Sequence, residues 1–182
     1  MAHLQFDPRL LLKAQGIKVV FLDVDGVLTD GGLFFSEQGE SVKRFDTLDG
    51  HGLKLLIRAG ITPAVITGRD SAALRTRLAA LGVMHAHYGV EDKAPAAQVV
   101  LSTLGLSWSE AAAMGDDWPD LPMLLPAALA CAPPNAHAEV LAIADHVTIR
   151  PGGHGAVREL CDLLLVASGR YQLLLDGHGK HT

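Results

Sequence analysis

IKVVFLDVDGVLTDG, residues 17–31, passes from a nearly continuous apolar run into a cluster of aspartates and glycines. The run at residues 17–22 is rich in β-branched side chains, as expected of a strand covered on both faces. Asp23 and Asp25 follow where this strand should end, and Gly26 lets the chain turn so that both carboxylates approach one point. Buried carboxylates are costly unless a cation compensates them. A solvated acidic turn is the alternative, but an apolar strand leading into this cluster favours a functional site.

Short apolar segments alternate with helical patterns along the rest of the chain. Further strands are predicted at residues 61–66, 83–88, 111–114, 127–132 and 146–149. Helices are predicted around residues 53–57 before Gly60, from an Asp70 cap to Gly82, around 99–104 before Gly105, from an Asn135 cap over 136–144, and over 156–167. This alternation predicts right-handed crossovers in a largely parallel sheet. We therefore expect a single α/β domain over residues 1–182, three-layered and Rossmann-like, without a large cap domain.

Two segments depart from the alternation. Residues 32–46 hold two apolar runs around a polar, glycine-bearing loop, which predicts a β-hairpin inserted after the first strand. An open α/β sheet binds its ligand near that point, so the hairpin should cover the site or touch a neighbouring subunit. Residues 169–182 are rich in glycine and histidine, and this composition predicts a flexible tail.

The composition narrows the class of protein. Among 182 residues, 49% are hydrophobic and 19% are charged, which favours one substantial core. The 20 acidic residues outnumber the 15 basic ones, so a nucleic-acid backbone is not an expected partner. Two cysteines do not make a disulfide framework, and neither a targeting signal nor a membrane span is recognised. We expect a cytoplasmic protein that binds neither nucleic acid nor membrane.

Three more groups of reactive side chains follow predicted strands. Thr67 and Gly68 offer a hydroxyl and a glycine amide at a predicted helix N-terminus, which suit a phosphate or an oxyanion. Lys93 falls at the next strand-to-helix turn, and the acidic run at residues 116–120 follows the fourth parallel strand. Carboxylates packed this closely repel one another unless a divalent cation is present. Each group alone has an ordinary explanation, as a helix cap, a surface lysine or an acidic loop. Together, at the carboxyl ends of parallel strands, they should converge on one crevice.

In this order the motifs resemble those of the haloacid dehalogenase superfamily of phosphotransferases, over nearly the whole chain. The matching motifs are Asp23-x-Asp25, Thr67-Gly68, Lys93 and Gly115-Asp116-Asp117. Residues 23–31, 49–52, 66–69 and 152–159 are similar, more narrowly, to the family of 3-deoxy-D-manno-octulosonate 8-phosphate phosphatases. The resemblance implies Mg²⁺-dependent hydrolysis of an eight-carbon sugar-acid phosphate in lipopolysaccharide precursor synthesis. It also implies a capless homotetramer in which the hairpin helps to close a neighbouring site.

The resemblance further implies a role for each matching residue. Asp23 would be the nucleophile, and Asp25 would be the general acid and base. The Mg²⁺ ligands would be Asp23, Asp116 and the backbone carbonyl of Asp25, with Asp117 and Asp120 holding metal-bound waters. Thr67 and Lys93 would bind the phosphoryl oxygens. The substrate contacts, besides Asp25 and Lys93, would come from Asp46, Thr47, Leu48, Asp49, Gly50, Lys54, Gly68, Arg69 and Arg77.

Other functions use the same residue types. Lys54 stands where the family has arginine, and Trp118-Pro119 is an unusual continuation of the fourth motif, so a nonulosonate 9-phosphate (a sialic-acid-type substrate) is the alternative within this chemistry. A receiver-like signalling domain would instead carry its phosphorylated aspartate on the third strand and its lysine near the end. A catalytically idle assembly module could retain the same fold.

Overall fold

A computed structural model describes residues 4–179 of the chain. Its main sheet has six parallel strands, as the alternation predicts: β1 (Val19–Leu22), β4 (Thr62–Ile66), β5 (His85–His87), β6 (Ala111–Met114), β7 (Leu129–Ala132) and β8 (His146–Val147). Their spatial order is β5-β4-β1-β6-β7-β8. The predicted hairpin forms a separate antiparallel pair, β2 (Phe34–Ser36) and β3 (Gly39–Val42).

Helices cover both faces of the sheet, so the domain has the three predicted layers. They are α1 (Pro8–Ala14), α2 (Thr47–Ala59), α3 (Ala72–Leu81), α4 (Lys93–Leu104), α5 (Leu121–Leu124), α6 (Ala138–Ile143), α7 (Ala156–Ala167) and α8 (Tyr171–Gly179). Side chains alternate along β1: Val20 and Leu22 enter the core beneath α2 and α7, whereas Val19 and Phe21 enter the core beneath α4 and α5. No helix within the described part of the chain combines the length and apolarity that crossing a bilayer requires.

The position of β1 explains where the site forms. It pairs with β4 on one side and β6 on the other, with Leu22 opposite both Val65 and Met114. The loops after these three strands therefore leave the same edge of the sheet. The chain runs outward from β1 to β4 and β5, and then crosses back to β6, so β1 is the point where the strand order reverses. Open α/β sheets bind ligands at such a point.

Two predicted helix caps are wrong. Ser71, not Asp70, caps α3, because its hydroxyl accepts a hydrogen bond from the amide of Leu74 at 3.3 Å. Asp70 forms an ion pair with Arg75 instead. His137 caps α6 through a hydrogen bond from the amide of Glu139. Asn135 lies earlier in the loop, where it bridges the carbonyl of Gly26 and the amide of Gly152.

The structure also differs from the sequence-based expectation near both ends. The pattern did not predict α1, which an Asp7 side chain caps through the amide of Arg9. Residues 171–179 form a helix rather than a flexible tail, since Tyr171 and Leu174 pack against the core beneath α7. The last three residues of the predicted tail, 180–182, lie outside the described part of the chain.

Candidate active site

The residues of all four motifs line one crevice at the carboxyl edge of the sheet, as predicted. Its volume is about 420 Å³. The lining residues are Asp23, Asp25, Thr67, Gly68, Arg69, Val90, Glu91, Lys93, Asp116, Asp117, Pro119 and Asp120. A larger cavity, of about 570 Å³, lies between the N-terminal segment and α7. That cavity contains none of the four motifs, so its size does not make it the catalytic site.

Three carboxylates and one ammonium group form the centre of the crevice. Oxygen atoms of Asp23, Asp116 and Asp120 all lie within 4.8 Å of one another. Lys93, the first residue of α4, points its Nζ between two of them, at 2.6 Å from Asp23 Oδ1 and 2.6 Å from Asp120 Oδ1. Asp23, Lys93 and Asp120 are buried. The cluster therefore contains three carboxylates and one ammonium group, so its negative charge is only partly neutralised.

The local backbone makes this approach possible. Gly26 adopts φ = +91°, a conformation that side-chain-bearing residues rarely adopt. A Cβ atom at this position would also lie 2.0 Å from Oδ2 of Asp116. Asp25 and Asp116 can share the crevice because residue 26 has no side chain.

The electrostatics of the cluster show an excess of negative charge. Burial, reinforced by the charge of Asp120, raises the pKa of Asp23 to about 6. Burial and the charges of Asp23 and Asp120 raise the pKa of Asp116 to about 7. The same carboxylates raise the pKa of Lys93 against the opposing effect of its burial. Carboxylate oxygens so crowded fit a hard divalent cation such as Mg²⁺, which prefers oxygen ligands.

The family resemblance implies that Asp120 holds metal-bound water, but its carboxylate is also fixed by several contacts within the protein. Its Oδ2 accepts hydrogen bonds from the amides of Asp116, at 2.8 Å, and Asp117, at 3.2 Å. Its Oδ1 pairs with Lys93. Asp120 therefore shapes the loop after β6 and orients Lys93. Asp117 is exposed, and its carboxylate accepts a hydrogen bond from the amide of Trp118.

Thr67 and Gly68, which follow β4, line the same crevice. Thr67 is 1% exposed, and its hydroxyl accepts a hydrogen bond from the amide of Arg69 at 3.2 Å. The sequence predicted that these residues stand at a helix N-terminus, but α3 begins only at Ala72. They occupy a loop between β4 and α3 instead.

The Asp25 carboxylate makes a separate set of contacts. Lys43, just after β3, places its Nζ 2.5 Å from Oδ1 of Asp25 and 2.8 Å from Glu40. These hydrogen bonds outweigh burial and raise the pKa of the Lys43 ammonium. Arg69 lies near the other oxygen, with its Nε 3.6 Å from Oδ2. Sequence reasoning missed Glu40 and Lys43, because no spacing rule connects a hairpin to the end of β1.

The remaining predicted substrate contacts do not line this crevice within one chain. Asp46 caps α2, and Asp49 is buried beneath α7, where it accepts a hydrogen bond from the amide of Arg158 at 2.7 Å. Gly50 packs against Arg77, whose guanidinium donates to the carbonyl of Asp46. Three further members of this set lie elsewhere: Thr47 in the first turn of α2, Leu48 along the larger cavity, and Lys54 exposed on α2.

Comparisons with known proteins agree with this geometry. Residues 87–160 match the family profile of haloacid dehalogenase-like hydrolases. The chain is 39% identical to the 3-deoxy-D-manno-octulosonate 8-phosphate phosphatase KdsC of Salmonella typhimurium, over 90% of this chain and 87% of that protein. The crystal structure of the Yersinia pestis phosphatase of the same name has a TM-score of 0.88 and 38% identity, covering 91% of this chain and 89% of that one. The Moraxella catarrhalis phosphatase, in complex with a magnesium ion, a phosphate ion and KDO, has a TM-score of 0.91 and 36% identity, covering 95% of this chain and 99% of that one.

The fold and the crevice together define a hydrolase of the haloacid dehalogenase type. Within that class, the chain belongs to the family of 3-deoxy-D-manno-octulosonate 8-phosphate phosphatases, since the similarity extends over most of both sequences.

Proposed function

We propose that the protein hydrolyses 3-deoxy-D-manno-octulosonate 8-phosphate to the free sugar acid and phosphate, as a step in lipopolysaccharide precursor synthesis in the cytoplasm. The observation that carries the proposal is the meeting of Asp23, Asp116 and Lys93 in one crevice. This constellation suits phosphoryl transfer, which needs positioned charges more than covalent chemistry. The relatives named above support the choice of substrate.

Mg²⁺ is the cofactor of the proposed reaction. Asp23 and Asp116 would hold the ion with the backbone carbonyl of Asp25, while Asp120 would bind its waters or join the ligands directly. The observed donor set contains carboxylate oxygens only, which matches the preference of Mg²⁺. The ion supplies positive charge that offsets the repulsion between an anionic nucleophile and an anionic phosphate.

The chain's own residues supply the remaining chemistry. A carboxylate oxygen of Asp23 attacks phosphorus and forms an aspartyl-phosphate, while the bond to the sugar oxygen breaks. Asp25 donates a proton to that sugar oxygen as it leaves. Asp25 then takes a proton from the attacking water, whose oxygen bonds to phosphorus and releases Asp23. Lys93, Thr67 and the amide of Gly68 bind the phosphoryl oxygens through both steps.

Part of the substrate site is proposed to come from a second copy of the chain. Phe34 and Phe35, on the hairpin, are 54% and 66% exposed, and Val42 is 57% exposed. Apolar side chains exposed together mark a contact surface. A homotetramer that buries the hairpin would bring it to a neighbouring crevice. Arg69 would then contact the sugar acid from within the chain. Residues 46–48, Lys54 and Arg77 of the neighbouring copy would complete the site.

A substrate panel tests the proposed function. Phosphate release is measured with Mg²⁺ for 3-deoxy-D-manno-octulosonate 8-phosphate, for a nonulosonate 9-phosphate and for simple sugar phosphates. The octulosonate should have the highest kcat/KM, and Asp23→Asn should remove activity on every substrate. A higher kcat/KM for the nonulosonate would reassign the substrate, and an active Asp23→Asn protein would exclude the proposed nucleophile.

The homotetramer has its own test. Light scattering coupled to size-exclusion chromatography should give the mass of four chains for the native protein. Phe35→Ser should shift the mass to smaller species, because it removes apolar surface from the proposed interface. A native protein that runs as a monomer would contradict the assembly without affecting the assignment of Asp23.

A further inference from the structure

The hairpin touches the catalytic machinery of its own chain. The aliphatic part of Lys43 leads inward from the end of β3, and its side chain is only 1% exposed. Its ammonium lies between Oδ1 of Asp25, at 2.5 Å, and Oε1 of Glu40, at 2.8 Å. The crevice itself is lined by Asp25 and Arg69 but not by Lys43. Lys43 therefore lies behind Asp25 and has no access to a substrate in the crevice.

The four charged groups form a closed arrangement. Arg69 lies 3.6 Å from Oδ2 of Asp25 and 3.7 Å from Oε2 of Glu40, so each carboxylate faces both cations. Arg69 is 47% exposed and lines the crevice, whereas Lys43 is enclosed. Of the two cations, Lys43 makes the shorter contact with Asp25. The hydroxyl of Thr29 adds a second, longer contact to Oδ1 of Asp25, at 3.4 Å.

We propose that Lys43 is a positioning residue for Asp25, held in place by Glu40, and that it fixes the carboxyl group facing the leaving oxygen of the substrate. This inference rests on the proposed function, in which Asp25 exchanges protons with the sugar oxygen and with water. An aspartate rotates about two side-chain bonds, and a misplacement of about 1 Å in a catalytic group can cost about 10²-fold in rate. Lys43 binds Oδ1, which leaves Oδ2 towards Arg69, a residue that lines the crevice.

Through Lys43, the hairpin would also contribute to catalysis within its own chain. Glu40 lies on β3 and Lys43 directly follows it, so the hairpin must be folded for the Lys43–Asp25 contact to form. The exposed apolar face of the same hairpin is the surface that we propose for assembly. Contacts made by a neighbouring copy on this face would thus act on Asp25 through Glu40 and Lys43.

The test separates proton transfer from the rest of the reaction. Lys43→Met removes the ammonium but keeps an apolar chain of similar length, and Lys43→Arg retains a cation. Lys18→Met is the matched control, since Lys18 is an exposed lysine directly before β1. Each variant is assayed by rapid quench with 3-deoxy-D-manno-octulosonate 8-phosphate, whose leaving alkoxide needs a proton. Each is also assayed by stopped flow with p-nitrophenyl phosphate, whose leaving phenolate needs no proton. Circular dichroism and chromatographic mass confirm that each variant is folded and assembled.

The expected result is a loss that depends on the leaving group. For Lys43→Met, the single-turnover rate on the sugar phosphate should fall about 10²-fold. With p-nitrophenyl phosphate the first turnover should be nearly unchanged. A burst of one nitrophenolate per site should then precede slow turnover, because attack by water still requires Asp25. Lys43→Arg should recover most of the rate on the sugar phosphate, and Lys18→Met should behave as the native protein.

Two outcomes would overturn the inference. Native rates on both substrates would mean that Asp25 needs no support from Lys43. Equal losses in the first turnover of both substrates would indicate general damage to the crevice. If Lys43→Met does not fold, the same comparison is made with Glu40→Gln, which removes the counter-charge of Lys43 and should produce a smaller loss of the same kind. A native enzyme inactive on both substrates would instead refute the proposed function itself.

Discussion

Two regions of the molecule bury aspartates, and only one of them has the composition of an active site. In the crevice, Asp23 is buried with a pKa raised to about 6. Between α2 and α7, Asp49 is 1% exposed, and burial likewise raises its pKa to about 6. A raised pKa therefore reports burial in both regions and does not by itself distinguish them.

The partners of the two aspartates make the distinction. Asp49 accepts hydrogen bonds from two backbone amides at the start of α7, those of Arg158 at 2.7 Å and Gly155 at 3.3 Å. Such amides are unsatisfied at any helix N-terminus, so Asp49 stabilises the packing of two helices. Asp23 shares an ammonium with Asp120 and faces Asp116. Repulsion among these carboxylates opposes their ionisation, and added positive charge would relieve it.

The largest effect that this comparison predicts is on Lys93. Lys93→Met leaves Asp23 and Asp120 without their shared cation and removes the donor that we propose for the phosphoryl group. We expect kcat to fall by about 10²–10³ at saturating Mg²⁺, as for the loss of one donor that stabilises transition-state charge. Arg158→Met is the control in the other region, since its backbone amide still reaches Asp49, and its kcat should match the native value. Steady-state phosphate release gives kcat for both variants. Similar losses of kcat in the two variants would contradict the distinction between a catalytic and a structural region.

The second prediction concerns stability. Mg²⁺ binds the folded crevice and relieves the repulsion there, so it should raise the Tm. At a hundred times its Kd, the ion should add about 2.7 kcal/mol, which corresponds to a Tm rise of about 5–10 °C for a chain of this length. Asp116→Asn should lose most of this rise, whereas Asp49→Asn should keep it. Differential scanning calorimetry with and without Mg²⁺ gives the shifts, and a full rise in Asp116→Asn would remove that residue from the metal ligands.

The same comparison explains how far the sequence could predict the structure. Six strands and the convergence of Asp23, Thr67, Lys93 and Asp116 followed from apolar runs that end in polar motifs, because parallel strands present their carboxyl ends at one edge. That argument locates loops and does not describe what each side chain contacts. Asp49 lies in a motif shared with the family, but only the packing of α2 on α7 shows that its carboxylate faces backbone amides.

Residues whose partners are distant in sequence were harder to predict. Lys43 meets Asp25 across 18 positions, and Asn135 meets Gly26 across 109. Neither contact has a periodic signature. The C-terminal helix was missed for a related reason: Gly177 and Gly179 suggested flexibility, whereas packing of Tyr171 and Leu174 against the core favours a helix.

The third prediction tests the structural aspartate. Asp49→Asn replaces one acceptor by an amide group that faces the Gly155 amide, so it should lower the free energy of unfolding by about 1 kcal/mol at pH 5. The kcat of the folded protein should not change if Asp49 is structural. Urea unfolding and the substrate assay measure the two quantities. A large loss of kcat without a loss of stability would instead indicate that Asp49 contacts the substrate in the site of a neighbouring subunit.

The cost of Asp49→Asn should also depend on pH. The folded-state pKa of Asp49 is raised to about 6 from an ordinary value of 3.8. Between these values the folded state binds more protons than the unfolded state, so the native protein loses stability as pH rises. The asparagine variant lacks this titration. Its deficit relative to the native protein should therefore shrink as pH rises from about 4 to about 6. A deficit that grows over this interval would show that Asp49 is ionised and well stabilised in the folded state.

The smallest expected effects concern a third kind of aspartate, exposed at the start of α3. The Arg75 guanidinium holds the pKa of Asp70 below its ordinary value, and both side chains are open to solvent. Such pairs contribute little to stability, because water screens them. Ser71 supplies the hydrogen bond that the helix needs, so Ser71→Ala should lower the free energy of unfolding by about 1 kcal/mol and Asp70→Ala by less. Urea unfolding of the two variants at pH 7 decides the order. A larger cost for Asp70→Ala would mean that this aspartate caps the helix in solution, and that an exposed carboxylate can contribute as much to this fold as the buried Asp49.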